Sequence, residues 1–407
     1  MKKINYLQLS VLLVSICFFL TGCTSDKTAE EGVSEKGPLV ITSRLRAEPN
    51  GIRPLMAITT SELQVVYKIF PSLLAPDPFT LELSPMLAKE MPEAIKLKAG
   101  EYDGDADYKY TFEILDEAVW DNGEPVLAED YLFTLKALFN PHVTGAVPYR
   151  GALHFIKDLK IDATNPKKFD IYVKGLFRTA LGSGFYILPE YVYDPEKLMR
   201  NFELADLTNP ERLKKVESDE RLKDFGEAYM DPKNSHEVVE SCGPYKLASW
   251  SPEQEIILEK KKDWWGDKLV DKYPLLTANP AKLIFKFIPD ETAAIAALKG
   301  GQIDIASKLS PSGFTDFRDG NLKDQFNFYT PDLNLYMYMA LNTKRPKLSD
   351  KRVRRAIAHL VDVDEIIKSV QLDFATPAIT PILKNADYYN KNLKPDPGYL
   401  DYLNQKP

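Results

Sequence analysis

Residues able to do chemistry are few and scattered along this 407-residue chain. Asp103-Gly104-Asp105-Ala106-Asp107 alternates carboxylates, a pattern that can surround a hard cation such as calcium. The calcium-loop pattern then fails twice. Tyr108 stands where glycine must turn the backbone, and Ile114 where a bidentate glutamate must close the shell. A solvated hairpin turn ahead of a strand at Tyr108 is the better reading. His142, His154, His236 and His359 lie far apart, with no metal-binding spacing among them, and His142 reads as an exposed residue at a helix end. Gly182-Ser183-Gly184 lacks the flanks of a nucleophile elbow and reads as a loop, and no phosphate loop or dinucleotide fingerprint is present. Arg352 and Arg355 share a helix face at i,i+3, which reads as solvated or ion-paired, with Val353, Ala356 and Ile357 turned to the core. Trp120, Trp250, Trp264 and Trp265 read as core and hinge packing rather than stacking platforms. No enzyme constellation, cofactor or metal site is expected.

The N-terminus gives an address. Lys2-Lys3 is a positive start, Tyr6 to Leu20 is mostly apolar, and polar residues follow abruptly, as in an export signal. Leu20-Thr21-Gly22-Cys23 resembles a bacterial lipoprotein cleavage box, in which Cys23 becomes the lipidated first residue. No later run is apolar enough to span a bilayer, so a lipid at Cys23 is the expected anchor in the cell envelope. Thr24 to Gly37 reads as a flexible tether. Cys17 leaves with the signal, and Cys242 has no partner and reads as a buried apolar residue. Removing residues 1–22 takes two lysines and no acid, moving the net charge from −7 to −9. That balance argues against nucleic acid as a partner.

The elements that must position a site are legible as patterns. Leu39-Val40-Ile41 begins a strand, and Arg46 to Gly51 is turn chemistry. Ser61 can cap a helix with Leu63, Val66, Tyr67 and Phe70 on one face. Tyr108 to Ile114 alternates as a half-buried strand, Trp120 to Pro125 is a turn, and a helix runs from Ala128 to Phe139, apolar at Leu132, Leu135, Leu138 and Phe139. Phe285 to Pro289 is a strand and Thr292 to Leu298 a helix, and Ile303 starts another strand. Leu335 to Asn342 reads as a strand leading to a helix from Arg352.

One stretch is more specific than these. Cys242-Gly243-Pro244-Tyr245-Lys246-Leu247 through Trp250, a turn at Ser251-Pro252, the strand Ile256 to Lys260 and Trp264-Trp265-Gly266 form a long ordered pattern. It resembles the middle segment of the family 5 extracellular solute-binding proteins, the receptors of peptide and nickel ABC importers. Three further blocks resemble the family in order: Trp120 to Asp130, with Asn122 where aspartate is usual and Val126-Leu127 also departing, Ile288 to Asp304, and Leu333 to Ile367.

The resemblance implies an α/β fold, a two-lobed, type II periplasmic-binding-protein-like clamp with a subdomain inserted in lobe I. It sets the segments as signal 1–22, tether 23–37, lobe I 38–72, inserted subdomain 73–187, lobe I again 188–284 and lobe II 285–407. It implies a monomeric receptor that captures oligopeptides by lobe closure and hands them to a permease and its ATPase. Thr59, Thr60 and Ser61, just before the first helix, and Tyr149 and Arg150 are the positions it turns toward a ligand. A nickel or metal-chelate receptor, and a sensory or adhesion lipoprotein without a permease, stand as alternatives; a peptidase is more distant. Asp401 to Pro407 matches only the beginning of a lobe II helix, so the resemblance also implies an incomplete lobe II and weak or absent solute binding by the chain as given.

Overall fold

A computed structural model describes residues 37–394, except 79, 81, 103, 177–185, 237–238, 332–334, 383 and 385–388. The expected signal, Cys23, the tether, the Gly182-Ser183-Gly184 loop and the segment from Asp401 lie outside the described residues. From the amino end come β1 (Val40–Leu45), α1 (Thr60–Ile69), β2 (Leu74–Pro76), β3 (Leu83–Pro85), β4 (Ala94–Lys96) and β5 (Tyr108–Glu113). Next are α2 (Ala128–Phe139), α3 (Val147–Leu153), β6 (Ile156–Ile161), β7 (Lys168–Val173), α4 (Glu190–Tyr193), α5 (Leu204–Thr208), α6 (Pro210–Val216) and α7 (Glu220–Met230). The chain continues through β8 (Tyr245–Ser251), β9 (Glu255–Lys260), β10 (Lys282–Phe287), α8 (Glu291–Lys299) and α9 (Pro311–Arg318). Last come α10 (Pro346–Ser349), α11 (Lys351–Leu360) and α12 (Val363–Ser369).

Two four-stranded sheets carry most of the fold. In the order β4-β5-β7-β6 every neighbour is antiparallel, and Phe112 faces Phe169 in register with rings 5.7 Å apart. The alternation read at Tyr108 to Ile114 is realised, with Tyr110 and Phe112 turned inward. Against this sheet lies α2, whose Tyr131 ring sits 5.2 Å from Phe169. Burial extends around most of α2, beyond the apolar positions its spacing marked, and includes Thr134 and Lys136. The other sheet runs β1-β10-β9-β8, with β1 parallel to β10 and the remaining pairs antiparallel. On β1's free edge Ile305 forms a single parallel bridge to Ser43, and Arg44 N–H donates to the Ile305 carbonyl at 2.9 Å. The strand expected from Ile303 is therefore one short bridged segment.

The segment from Cys242 to Gly266 is a junction. Both indole N–H groups of Trp264 and Trp265 donate to the Cys242 carbonyl at 2.9 Å. Ser241 Oγ donates to the Ile69 carbonyl at the end of α1 at 2.6 Å. Asp121 accepts from Ser241 N–H at 2.9 Å and pairs with Lys261 at 2.6 Å, so the Trp120–Pro125 turn is drawn into the same knot. Gly243 lies so close to α1 that an added Cβ would overlap the Ile69 carbonyl oxygen. The Cys242 side chain is buried, and burial pushes its thiol up to about 12. Of the four tryptophans, Trp250 is half-buried and donates to Glu48 at 2.8 Å rather than filling the core.

Hydrophobic burial divides unequally. One large cluster runs from Leu45 to Phe285, and a small one unites Ala297, Leu298, Ile303 and Phe317. Between them Arg44, itself buried, donates through Nε to the Ile288 carbonyl and through Nη2 to Pro289, each at 2.8 Å.

Three element readings are corrected. In α1 Val66 and Phe70 are buried and Leu63 packs on the core as read, joined by Val65 and Ile69, but Tyr67 points outward and Thr59 rather than Ser61 caps the helix. Leu335 to Asn342 is in no sheet: no ladder among the described residues includes it, and Leu335, Met337 and Tyr338 are 70%, 68% and 75% exposed. Apolar alternation defines a strand only where an edge is available to pair with it. Helix α11 forms on the Asp350 cap, with Arg352 paired to Asp350 at 2.7 Å, yet it buries none of its residues, so Val353, Ala356 and Ile357 meet no core.

Two measurements follow from this packing. Gly243→Ala is expected to lower stability to urea by about 3 kcal/mol, the scale of overpacking a fixed backbone contact. Asp130, at the start of α2, is pushed up to about 6 by burial, against hydrogen bonds from Leu127 N–H and the Trp120 indole that favour its charged form. Its folded pKa lies above its ordinary 3.8, so the folded state holds the proton longer. Its contribution is present at low pH and is lost as pH rises from 3.8 to about 6. Urea titrations across that window should show Asp130→Asn losing less stability with rising pH than the wild type, by on the order of 2 kcal/mol.

Candidate functional site

The start of α1 is built around one buried carboxylate. Glu62 Oε2 accepts from Thr59 N–H at 2.8 Å and Ile58 N–H at 2.9 Å, and Oε1 from both Asn50 nitrogens at 3.3 Å. Thr59 Oγ1 accepts in return from Glu62 N–H at 3.3 Å, completing a reciprocal cap. Burial alone would raise the Glu62 pKa, but the amides of Thr59 and Ile58 outweigh it and hold the pKa below its ordinary value. The cap satisfies the N–H groups of residues 58, 59 and 62. Those of Thr60 and Ser61, the first two helical positions, have no recorded partner among the described residues.

Around these amides the surface is mixed. Ile58, Tyr67 and Val147 are exposed, at 58%, 49% and 56%, and the Tyr67 ring lies 5.7 Å from that of Tyr186. Lys308 Nζ donates to Thr60 Oγ1 at 3.0 Å. Its backbone is left-handed, at φ 57°, and burial and Arg46 lower its pKa. Lys308 is held from both sides, by the Ile305 bridge to β1 and by Ser310, whose N–H and Oγ both bond Glu291 at 2.6 Å.

The five expected site positions separate into two groups. Thr59, Thr60, Ser61 and Tyr149 come together: the Tyr149 hydroxyl donates to the Ala57 carbonyl, just before the exposed turn. Burial, with the nearby Tyr67 and Glu62, pushes the Tyr149 phenol up to about 12, so it is a neutral donor. Arg150 faces the end of α2, where Nη1 donates to the carbonyls of Leu138, Asn140 and Val143 at 3.1, 2.7 and 3.0 Å. A guanidinium there satisfies orphan carbonyls and meets the negative end of the helix dipole. Lys308, Tyr67 and Ile58 were not marked by sequence reasoning. Lys308 sits about 250 residues away with no motif around it, but the Thr59-to-Glu62 capping pattern was there to be read.

Among the described residues no cluster of three or more His, Cys, Asp or Glu could hold a metal, and no helix is long and apolar enough to cross a membrane. Asp105 and Asp107 instead pair with Lys174, at 2.8 and 3.1 Å. Two concavities, of about 470 and 910 Å³, lie elsewhere; neither is lined by residues 58–61 or 149.

The sequence profile of the bacterial extracellular solute-binding proteins, family 5 middle region, matches residues 82–404. The chain belongs to this family. As a family 5 protein it is similar to the dipeptide-binding protein DppE of Bacillus subtilis, 24% identical over 397 residues, which cover 93% of this chain and 63% of DppE. Its fold matches that of the oligopeptide-binding protein AppA of Bacillus subtilis, solved with a nonapeptide, at a TM-score of 0.58 and 18% identity. That match covers 90% of this chain and 63% of AppA. NikZ of Campylobacter jejuni, solved with Ni(L-His), matches at 0.56 and 21%, over 89% of this chain and 62% of that one. The fold class is the α/β, type II two-lobed architecture of these binding proteins.

Arg150→Met tests the division of the site. It leaves three carbonyls without their cationic donor and is expected to cost about 2 kcal/mol of stability in urea. Tyr149→Phe, which removes only the bond to Ala57, should cost about 1 kcal/mol in the same titration.

Proposed function

We propose that this chain is the solute-binding receptor of an ABC importer and that its solutes are oligopeptides. The observation that carries this reading is the family 5 match over residues 82–404, with DppE and AppA among the relatives. Family and fold are those of binding proteins rather than enzymes. The receptor captures its ligand between two lobes and passes it to a permease and ATPase, and a lipid on Cys23 holds it in the cell envelope. Residues 38–72 and 188–284 form lobe I, 73–187 its inserted subdomain, and the chain from 285 belongs to lobe II; the receptor works as a monomer.

The α1 start suits a peptide for a chemical reason. An extended peptide offers carbonyls in a row, and the Thr60 and Ser61 amides are two adjacent donors not used by the cap. Thr59 and Glu62 set the angle of those donors, Tyr149 fixes the chain before them, and Ile58 and Tyr67 offer apolar contact to a side chain. Arg150 contributes by holding α2 and α3 in place. A nickel-chelate receptor is the second reading, favoured by the fold match to NikZ with Ni(L-His).

Thr60→Pro is a clean probe. Thr60 is the first residue of α1, where proline fits, and Thr59 has the extended φ and ψ, −81° and 155°, that precede a proline. The substitution deletes one N–H donor and the acceptor of Lys308. Hydrogen exchange with a millimolar nonapeptide should show slowed exchange at Thr60 and Ser61 in the wild type. In Thr60→Pro the protection at Ser61 should fall at least about fivefold, the loss of one hydrogen bond. Unchanged wild-type exchange with peptide, together with protection by Ni(L-His), would sink the peptide reading in favour of the chelate.

A further inference from the structure

The 910 Å³ concavity follows α2, β6 and the segment from Arg200 to Arg212, and none of its lining belongs to the α1 site. Lys136, on α2, lines it with only 6% of its surface exposed. Its ammonium makes no recorded hydrogen bond or ion pair with any described residue. Other charges around the groove are engaged. Arg200 lies bidentate on Glu190, and Arg212 bridges Glu203 and Asp206 at 2.6 and 2.7 Å. Asp158 accepts from the Tyr102 hydroxyl at 3.1 Å and Leu159 N–H at 2.9 Å. Lys157 donates to the His154 carbonyl at 2.9 Å, and Lys160 lies over the Tyr102 and Tyr172 rings at 4.9 and 5.5 Å. After this pairing three lysines stand against one carboxylate without a cationic partner, and the most buried of them is Lys136.

The Lys136 stem is buried, while its ammonium is not a buried atom and reaches the groove without a partner. A straight-chain apolar residue would fill the same stem space on α2 without placing a charge there. Leu132, one turn earlier, also lines the groove and gives it an apolar floor beside the charge. We propose that this groove is a second binding site, taking a small oxyanion, a carboxylate or a phosphate, on the Lys136 ammonium. Lys157 and Lys160 add positive potential along the approach. Burial also lowers the Lys136 pKa, with Glu129 and Glu190 nearby opposing the effect; an incoming anion would reverse that shift by pairing with the charge.

The test uses the full chain with two probes, inorganic phosphate and succinate, each at matched ionic strength against sodium chloride. The first readout is acetylation of individual lysines by acetic anhydride, resolved by peptide mass mapping. One or both probes should slow modification of Lys136 at least about tenfold relative to chloride, the effect of one charge-assisted contact. Protection by one probe alone names the class of anion. Calorimetry on Lys136→Met, which keeps the stem's volume without its charge, should show at least about tenfold weaker binding of the protecting probe. The acetylation readout stands on the wild type alone, whatever the fate of that variant. Unchanged Lys136 acetylation with both probes, or equal probe affinity in wild type and Lys136→Met, overturns the proposal.

Discussion

Everything in the larger core hangs on the approach of Gly243 to the carbonyl end of α1. A backbone contact that close leaves no room for a side chain, so it fixes the distance between α1 and the β8–β9 hairpin without any adjustable part. Neighbouring polar groups lock its orientation: Ser241 bonds the Ile69 carbonyl, and the two tryptophan indoles converge on the Cys242 carbonyl. Asp121 and Lys261 then tie in the Trp120 turn, which positions α2 through Asp130. Three elements far apart in sequence are thus set by one glycine and a few charged or hydroxyl side chains. Because these bonds are partly or wholly removed from water, breaking one strands its partner, and the junction behaves as a unit.

The same logic explains how α1 presents its first turn. A helix start has four N–H groups with no partner inside the helix, and a side-chain cap satisfies only some of them. Glu62 is buried and takes amides from outside the helix, at Asn50, Ile58 and Thr59, so the incoming chain is bound to the helix it enters. Thr60 and Ser61 are left with N–H groups that the cap does not use, Ser61 on a residue that is itself buried. Rigidity matters there, because a donor held in place before a ligand arrives loses little freedom when it binds. Tyr149 and Lys308 add their bonds at either side of the turn, one from α3 and one from beyond the β10 strand.

Much of the fold was legible in the residues, and the failures share a cause. The strand at Tyr108, the bounds of α2, the turn at Trp120 and the junction at Cys242 were readable because local pattern and tertiary demand agree there. The cap of α1 was misread because Ser61 and Thr59 are both competent caps, and the reciprocal glutamate three residues on decides between them. Leu335 to Asn342 and α11 were misread differently: both have the periodicity of buried elements, and burial depends on surfaces that a local pattern does not contain. Arg150 shows a third limit. Its position in the family resemblance suggested a ligand contact, and the structure shows its guanidinium donating to three backbone carbonyls.

The proposed α1 site is named by the resemblance but not by its residue types, and the reason is chemical. A site that acts through side chains announces itself by residue type and spacing, as a metal or nucleophile cluster does. A site that acts through backbone amides does not, since every residue but proline carries the same N–H. Only the machinery that orients those amides leaves a trace, here Thr59 with Glu62 three residues later. The exception in this chain runs the other way. Lys136 is a side chain whose type is unremarkable on a helix and becomes informative only once its burial and its lack of a partner are known. Sequence patterns therefore expose the scaffold of a binding protein more readily than the groups that do the binding.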